Sequence, residues 1–138
     1  AQTRYPCQWC HGAVGIGLSR IGNLKNGSIL ASDTKVVEDS LKITKSSWPN
    51  SVDTLCCGTL GSIEFLNEAG RIFEDAEIAS LADSRLMAVI EASHEKGAYS
   101  WNAGNTQFNL GLFRGLSGVG YTLLRKIDPQ IPNVLIWE

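Results

Sequence analysis

The sequence has no apolar run approaching the roughly 18 to 20 residues that a bilayer crossing requires, so no membrane span is expected. It also has no surplus of positive charge: 12 Lys and Arg stand against 14 Asp and Glu, a formal net charge of -2. A phosphate-binding face normally declares itself as an excess of Lys and Arg, so nucleic acid is not an expected partner. The opening residues AQTRYPCQWC contain no signal-peptide hydrophobic region, and export is not expected. They also lack an initiator Met and already read as a motif, so the chain is expected to continue a larger upstream part. No segment alternates apolar and polar residues strongly enough to require a sheet.

What is present fits one ordinary folded domain. The chain has 138 residues, 43% of them hydrophobic and 19% charged, enough for one core and too apolar for a disordered chain. Four cysteines can form two disulfides in a secreted scaffold, but such scaffolds are smaller and carry an export signal. Reduced thiols in a cytoplasmic protein are the expectation, serving as metal ligands or as inert core residues.

Helical spacing dominates the chain. Val14, Leu18, Ile21 and Leu24 follow Gly12 at three-to-four spacing, the mark of a helix with one buried stripe. Asp33 is read as the cap of a second helix running to about Thr44, with Val36, Val37, Leu41 and Ile43 apolar. The SSWPNS stretch then breaks the chain. A third helix is expected from Leu60 to about Phe73, a fourth from about Ala76 to Lys96, and a fifth from about Leu116 to Ile127. Between the last two lies the long glycine- and asparagine-rich stretch KGAYSWNAGNTQFNLG, where Trp101 is a candidate to line a peptide groove. The closing DPQIPNVLIWE reads as an extended tail. The fold class is all-α.

Three of these helices begin alike. GAVGIGLSRI at Gly12, GTLGSIEFLNEAG at Gly58 and GLSGVGYTLLRKI at Gly115 share G-x-x-G followed by an apolar helix, with one further helix in each interval. That is a helix-hairpin repeat, expected to form an α-solenoid or part of an α/α toroid. The paired glycines are expected to let neighbouring inner helices approach closely.

The repeat register also places the thiols. Cys10 lies two residues before the first repeat glycine, and Cys56 and Cys57 lie two and one before the second. All three therefore belong to equivalent ends of neighbouring inner helices. Three thiolates there can bind Zn²⁺ tetrahedrally at about 2.3 Å with a fourth position open, the mark of a catalytic zinc. Two readings compete. Cys7 and Cys10 form C-x-x-C, so all four cysteines can close a purely structural zinc site. Alternatively, the chain is a metal-free helical-repeat interaction domain with small buried cysteines.

WCHGAVGIGLSRI, CCGTLGSIEFL and GLFRGLSGVGYTLLRKIDPQIPNVLIWE resemble the C-terminal part of the lanthionine synthetase C-like cyclases. The motifs that carry the likeness are W-C-x-G, C-[HC]-G and a terminal G-L-x-G-x-x-G, and the last segment is most similar to the end of class II lanthipeptide synthetases. The resemblance implies that residues 1–138 are the C-terminal portion of a cyclase domain of α/α-toroid fold. It implies Zn²⁺ held by Cys10, Cys56 and Cys57, with Cys57 where most members have His. It implies Michael-type addition of peptide Cys thiolates to dehydroalanine or dehydrobutyrine, forming lanthionine or methyllanthionine rings. The implied partners are a precursor peptide with a leader and dehydrated Ser and Thr, and the remainder of the synthetase, namely upstream cyclase helices and a dehydratase domain. The fragment alone is expected to be inactive. His11 is the candidate to orient the site or protonate the product enolate. His94 and Asp53 are expected to be surface and loop-bonding residues.

Overall fold

The computed structural model describes residues 5–101 and 109–138. Its helices are α1 (Ala13–Lys25), α2 (Ala31–Ser46), α3 (Thr59–Ile72), α4 (Ala76–Lys96) and α5 (Leu116–Ile127). Among the described residues there is no strand, only an isolated antiparallel bridge between Cys7 and Gly12. The fold is all-α, as the spacing predicts. α3 packs against α1 on one side and α5 on the other, while α2 backs α1 and α4 backs α3. This is an inner row of three helices with an outer layer of two, the layering of an α/α toroid.

The inner row sits at the centre of the core. Val14, Leu18 and Ile21 on α1 are fully buried, as are Ile63, Phe65 and Leu66 on α3. α3 is buried almost all round, as a helix flanked on several sides must be. From the outer layer, Val37 and Leu41 of α2 and Ile78, Leu86 and Val89 of α4 complete the core. The outer helices are joined by Arg85 of α4. Its guanidinium donates to the terminal carbonyls of α2, Thr44 at 3.0 Å and Lys45 at 2.8 Å, and lies 4.8 Å from the Trp48 ring centroid.

The three inner helices begin with one local structure. Each repeat glycine is the N-cap, and the first helical amide reaches back over the loop: Ala13 N to Pro6 O at 3.0 Å, Thr59 N to Val52 O at 2.9 Å, Leu116 N to Asn109 O at 2.8 Å. The second glycine of each motif corrects an expectation. A Cβ on Gly15, Gly61 or Gly118 would meet first the carbonyl oxygen of Trp9, Leu55 or Leu112, at 2.0 to 2.3 Å. These glycines make room for their own entry loop rather than for a neighbouring helix. Because the obstacle is backbone, it cannot swing aside. Gly61→Ala is therefore expected to cost about 3 kcal/mol by overpacking. Gly22→Ala is the contrast: the nearest atom is 3.8 Å away, and the helix interior gains about 0.5 to 1 kcal/mol. Urea unfolding of the two variants measures both signs, and a Gly61→Ala chain as stable as its parent would refute the entry-loop account.

Other boundaries differ for local reasons. Asp33 is not a cap: Leu30 occupies that position, and Asp33 sits buried in the first turn of α2. There it accepts from Ser28 Oγ at 2.8 Å and pairs with Arg20 at 3.7 Å, so it ties the α1–α2 connection to the helix start. Asp75 is a true cap, accepting from Glu77 N and Ile78 N at 2.9 and 3.1 Å, and Gly97 in the left-handed region (φ 71°) ends α4. The closing segment is not extended but folds in turns, with Asn133 and Leu135 buried against the inner helices. Of the glycine- and asparagine-rich stretch, residues 102–108 lie outside the described residues.

Candidate metal centre

Cys56 is the junction of three entry loops. Its carbonyl accepts from Trp9 N at 3.1 Å and Cys10 N at 3.3 Å, and its own amide donates to Phe113 O at 2.9 Å. The peptide of one residue thus fixes the loops before α1, α3 and α5 to each other. The loop before α3 turns tightly, with Gly58 N donating to Thr54 O at 3.1 Å and Cys57 N to Thr54 Oγ1 at 3.3 Å. That turn lets two adjacent cysteines point to one place, which an extended backbone would forbid.

The sulfurs of Cys10, Cys56 and Cys57 lie within 4.8 Å of one another. Cys57 Sγ is 3.4 Å from Cys10 Sγ and 3.3 Å from Cys56 Sγ, and all are free thiols. A tetrahedral zinc with bonds of about 2.3 Å needs its sulfurs about 3.8 Å apart, so this donor set fits such an ion in both type and spacing. Cys56 is buried, Cys57 half-buried and Cys10 exposed, so the cluster opens to the surface on the Cys10 side. Burial, reinforced by the neighbouring thiols of Cys57 and Cys10, pushes the Cys56 thiol up to about 12. With two further sulfurs this close, the buried Cys56 thiol resists ionisation unless a cation joins it.

The aromatic setting is shared with the C-terminal tail. The Trp9 ring stacks on Phe113 with centroids 5.2 Å apart and planes 7° from parallel, and Trp137 lies 6.5 Å away at 51°. Trp9 Nε1 donates to Leu135 O at 3.0 Å. The tail therefore braces the residue next to Cys10. None of these pairings is visible in residue spacing.

The other sequence candidates fall as follows. Cys7 is buried and apart from the three sulfurs, with its own Sγ 3.5 Å from Thr44 Oγ1 of α2. His11 is exposed on the rim, between Cys10 and Gly12. His94 is exposed on α4. Asp53 exchanges two bonds with Ser100, accepting from its amide at 2.9 Å and donating its own at 2.7 Å, which pins the chain after α4 to the α3 entry loop. Trp101 is half-buried, 6.1 Å from Tyr99 and packed on the core. Arg114 is the residue that spacing left unremarked. It is exposed, immediately before Gly115 and one residue after Phe113, whose carbonyl accepts from the Cys56 amide; the neighbouring Cys56 sulfur first, then the charges of Cys57 and Cys56, raises its pKa.

Fold and site together define a class: an all-α helix-hairpin repeat whose glycine-capped inner helices gather three thiols on one rim. The family model for lanthionine synthetase C-like protein matches residues 1–137, and the chain belongs to that family. A comparison with curated proteins finds no match. No helix among the described residues is long and apolar enough to cross a membrane.

Proposed function

We propose that this chain is the C-terminal portion of a lanthipeptide cyclase domain of the class II type, and that Cys10, Cys56 and Cys57 hold its catalytic Zn²⁺. The observation that carries this reading is the meeting of three sulfurs within 4.8 Å at matched helix starts, open to the surface. Zinc held by these three residues would make an arriving thiol acidic enough to release its proton to water, and would hold its sulfur in place. In the reaction proposed, a peptide cysteine sulfur that has lost its proton bonds to the β-carbon of dehydroalanine or dehydrobutyrine. The alkene electron pair passes to the carbonyl as an enolate and returns to take a proton at the α-carbon.

The chain's own residues have separable tasks. Cys10, Cys56 and Cys57 supply donors, and the Cys56 peptide keeps Cys10 in register with the other two. Trp9, next to Cys10, ties the α1 entry loop to the α5 entry loop and to the tail. His11, exposed beside Cys10, is proposed to move a proton at the rim. The substrates proposed are precursor peptides with a leader and dehydrated Ser and Thr, and ring closure is proposed to require the remainder of the synthetase. A cytoplasmic setting would keep the thiols reduced.

The four-thiolate reading is disfavoured by Cys7, whose sulfur is engaged with Thr44. Metal analysis of the purified chain is expected to give one zinc per chain, unchanged in Cys7→Ala. In an assembled synthetase, the triple change Cys10→Ala, Cys56→Ala, Cys57→Ala is expected to abolish cyclisation of a pre-dehydrated peptide without affecting dehydration. Zinc lost with Cys7→Ala, or cyclisation that survives the triple change, would overturn the proposal.

A further inference from the structure

The repeat leaves one rim position unaccounted for. The residue just before each N-cap glycine is His11 before α1, Cys57 before α3 and Arg114 before α5. Three equivalent backbone positions thus face the same rim, and one of them carries a proposed ligand. The entry loop of α5 is held there by two contacts: Phe113 O accepts from Cys56 N at 2.9 Å, and the Phe113 ring stacks on Trp9 at 5.2 Å. The next residue along is Arg114, exposed at the rim position before Gly115 that matches Cys57 before Gly58.

The charge of the site gives this arginine a task. Three thiolates around a divalent ion sum to -1, and a further thiolate brings the total to -2. Each added sulfur anion is therefore repelled unless positive charge stands nearby. Lys25, Arg71 and Arg125 are engaged with Glu68, and Arg125 with Glu64 as well. Arg85 is spent on the carbonyls of α2. Arg114 follows directly on Phe113, the residue that joins the α5 entry loop to Cys56.

We infer that Arg114 is a positioning residue whose charge offsets the negative charge that accumulates at the Cys10–Cys56–Cys57 site when a substrate sulfur binds there as a thiolate. The inference rests on the metal-site reading above. It concerns the affinity for an anionic sulfur rather than the metal's own hold on the protein. Because Arg114 is exposed, its effect is modest in size and sensitive to salt. Lysine at 114 would keep the charge but lose the planar fork.

The test uses the 138-residue chain loaded with Co²⁺, whose sulfur charge-transfer bands report added ligands directly. The probes are N-acetylcysteine methyl ester, which binds as a thiolate, and imidazole, which binds neutral. Arg114→Ala is expected to weaken the thiol about tenfold at low salt and to leave imidazole unchanged. Arg114→Lys is expected to restore most of the loss, and 1 M salt to erase most of the difference between parent and Arg114→Ala. Thiol affinity in Arg114→Ala within twofold of the parent would overturn the role of Arg114 alone. Equal weakening of both probes would also overturn it, since that is the mark of a displaced site. A parent chain that takes up no cobalt would instead overturn the metal-site reading and this inference with it.

Discussion

Zinc affinity is expected to fall about a hundredfold to a thousandfold when Cys56 becomes alanine. Structural zinc sites bind with about 10 to 16 kcal/mol of apparent free energy at neutral pH, which shared over four ligands is about 2.5 to 4 kcal/mol for each. A factor of ten corresponds to about 1.4 kcal/mol, so losing one donor costs about two to three decades. Alanine keeps the Cys56 amide and carbonyl, and with them the bonds to Trp9, Cys10 and Phe113 that join the entry loops. The fold should survive with a small loss, because only one buried sulfur is removed. The measurement is a competitive zinc titration against a chelator, with urea unfolding on the same sample. Cys10→Ala should behave alike, although Cys10 is exposed and its removal disturbs the core even less. A Cys56→Ala chain that binds zinc as tightly as its parent would remove Cys56 from the donor set, whatever the spacing of the sulfurs.

The parts of this molecule legible in its sequence are those governed by local rules. α4 and α5 run from Ala76 to Lys96 and from Leu116 to Ile127, where their apolar spacing and flanking breaks put them. The thiol cluster was legible as well, because three equivalent helix starts turn a spacing in sequence into a common rim. Asp33 shows where the local rule fails. A capping aspartate and a buried aspartate paired with Arg20 and Ser28 look the same in a string of letters, and the choice lies with residues on the preceding helix and its connection. Glu64 and Glu68 are a sharper case. Two glutamates a turn apart normally mark a solvated face, yet they are 1% and 2% exposed. Their partner, Arg125, comes from α5 and is as deeply buried. Arg114 is intermediate: its nearness to Cys56, through the Phe113 carbonyl, needs the tertiary fold, but its register, one residue before a repeat glycine as Cys57 is, was available from the repeat alone.

Arg125→Met is expected to destabilise the chain by about 3 to 5 kcal/mol at neutral pH, the usual cost of removing one partner from a buried ion pair. The Arg125 guanidinium bonds Glu64 Oε2 through Nε at 2.9 Å, Glu68 Oε1, and the carbonyl of Ile131 in the C-terminal tail. Glu68 has other donors: Lys25 at 3.3 Å, Arg71 at 3.2 Å and Asn133 Nδ2 at 3.1 Å. Among the described residues Glu64 has no such reserve, since its buried Oε1 meets no partner there and its Oε2 depends on Arg125. The damage should therefore fall on Glu64 and on the docking of the tail. The pH dependence follows from the sign of the Glu64 shift. Burial raises its pKa above the ordinary 4.5, and the Arg125 charge opposes that rise. Without Arg125 the folded pKa climbs further, so the folded state holds a proton that the unfolded chain releases. The contribution of Glu64 to the variant's stability is then full below about 4.5 and is lost as pH rises through the raised value. The gap to the parent should be wider at pH 7.5 than at pH 5 in urea unfolding. A second change, Glu64→Leu, should recover part of the loss, because an apolar pair can replace a buried ionic one. A gap under about 1 kcal/mol at pH 7.5, or one that widens toward pH 5, would mean that Arg125 does not neutralise Glu64 in the folded chain.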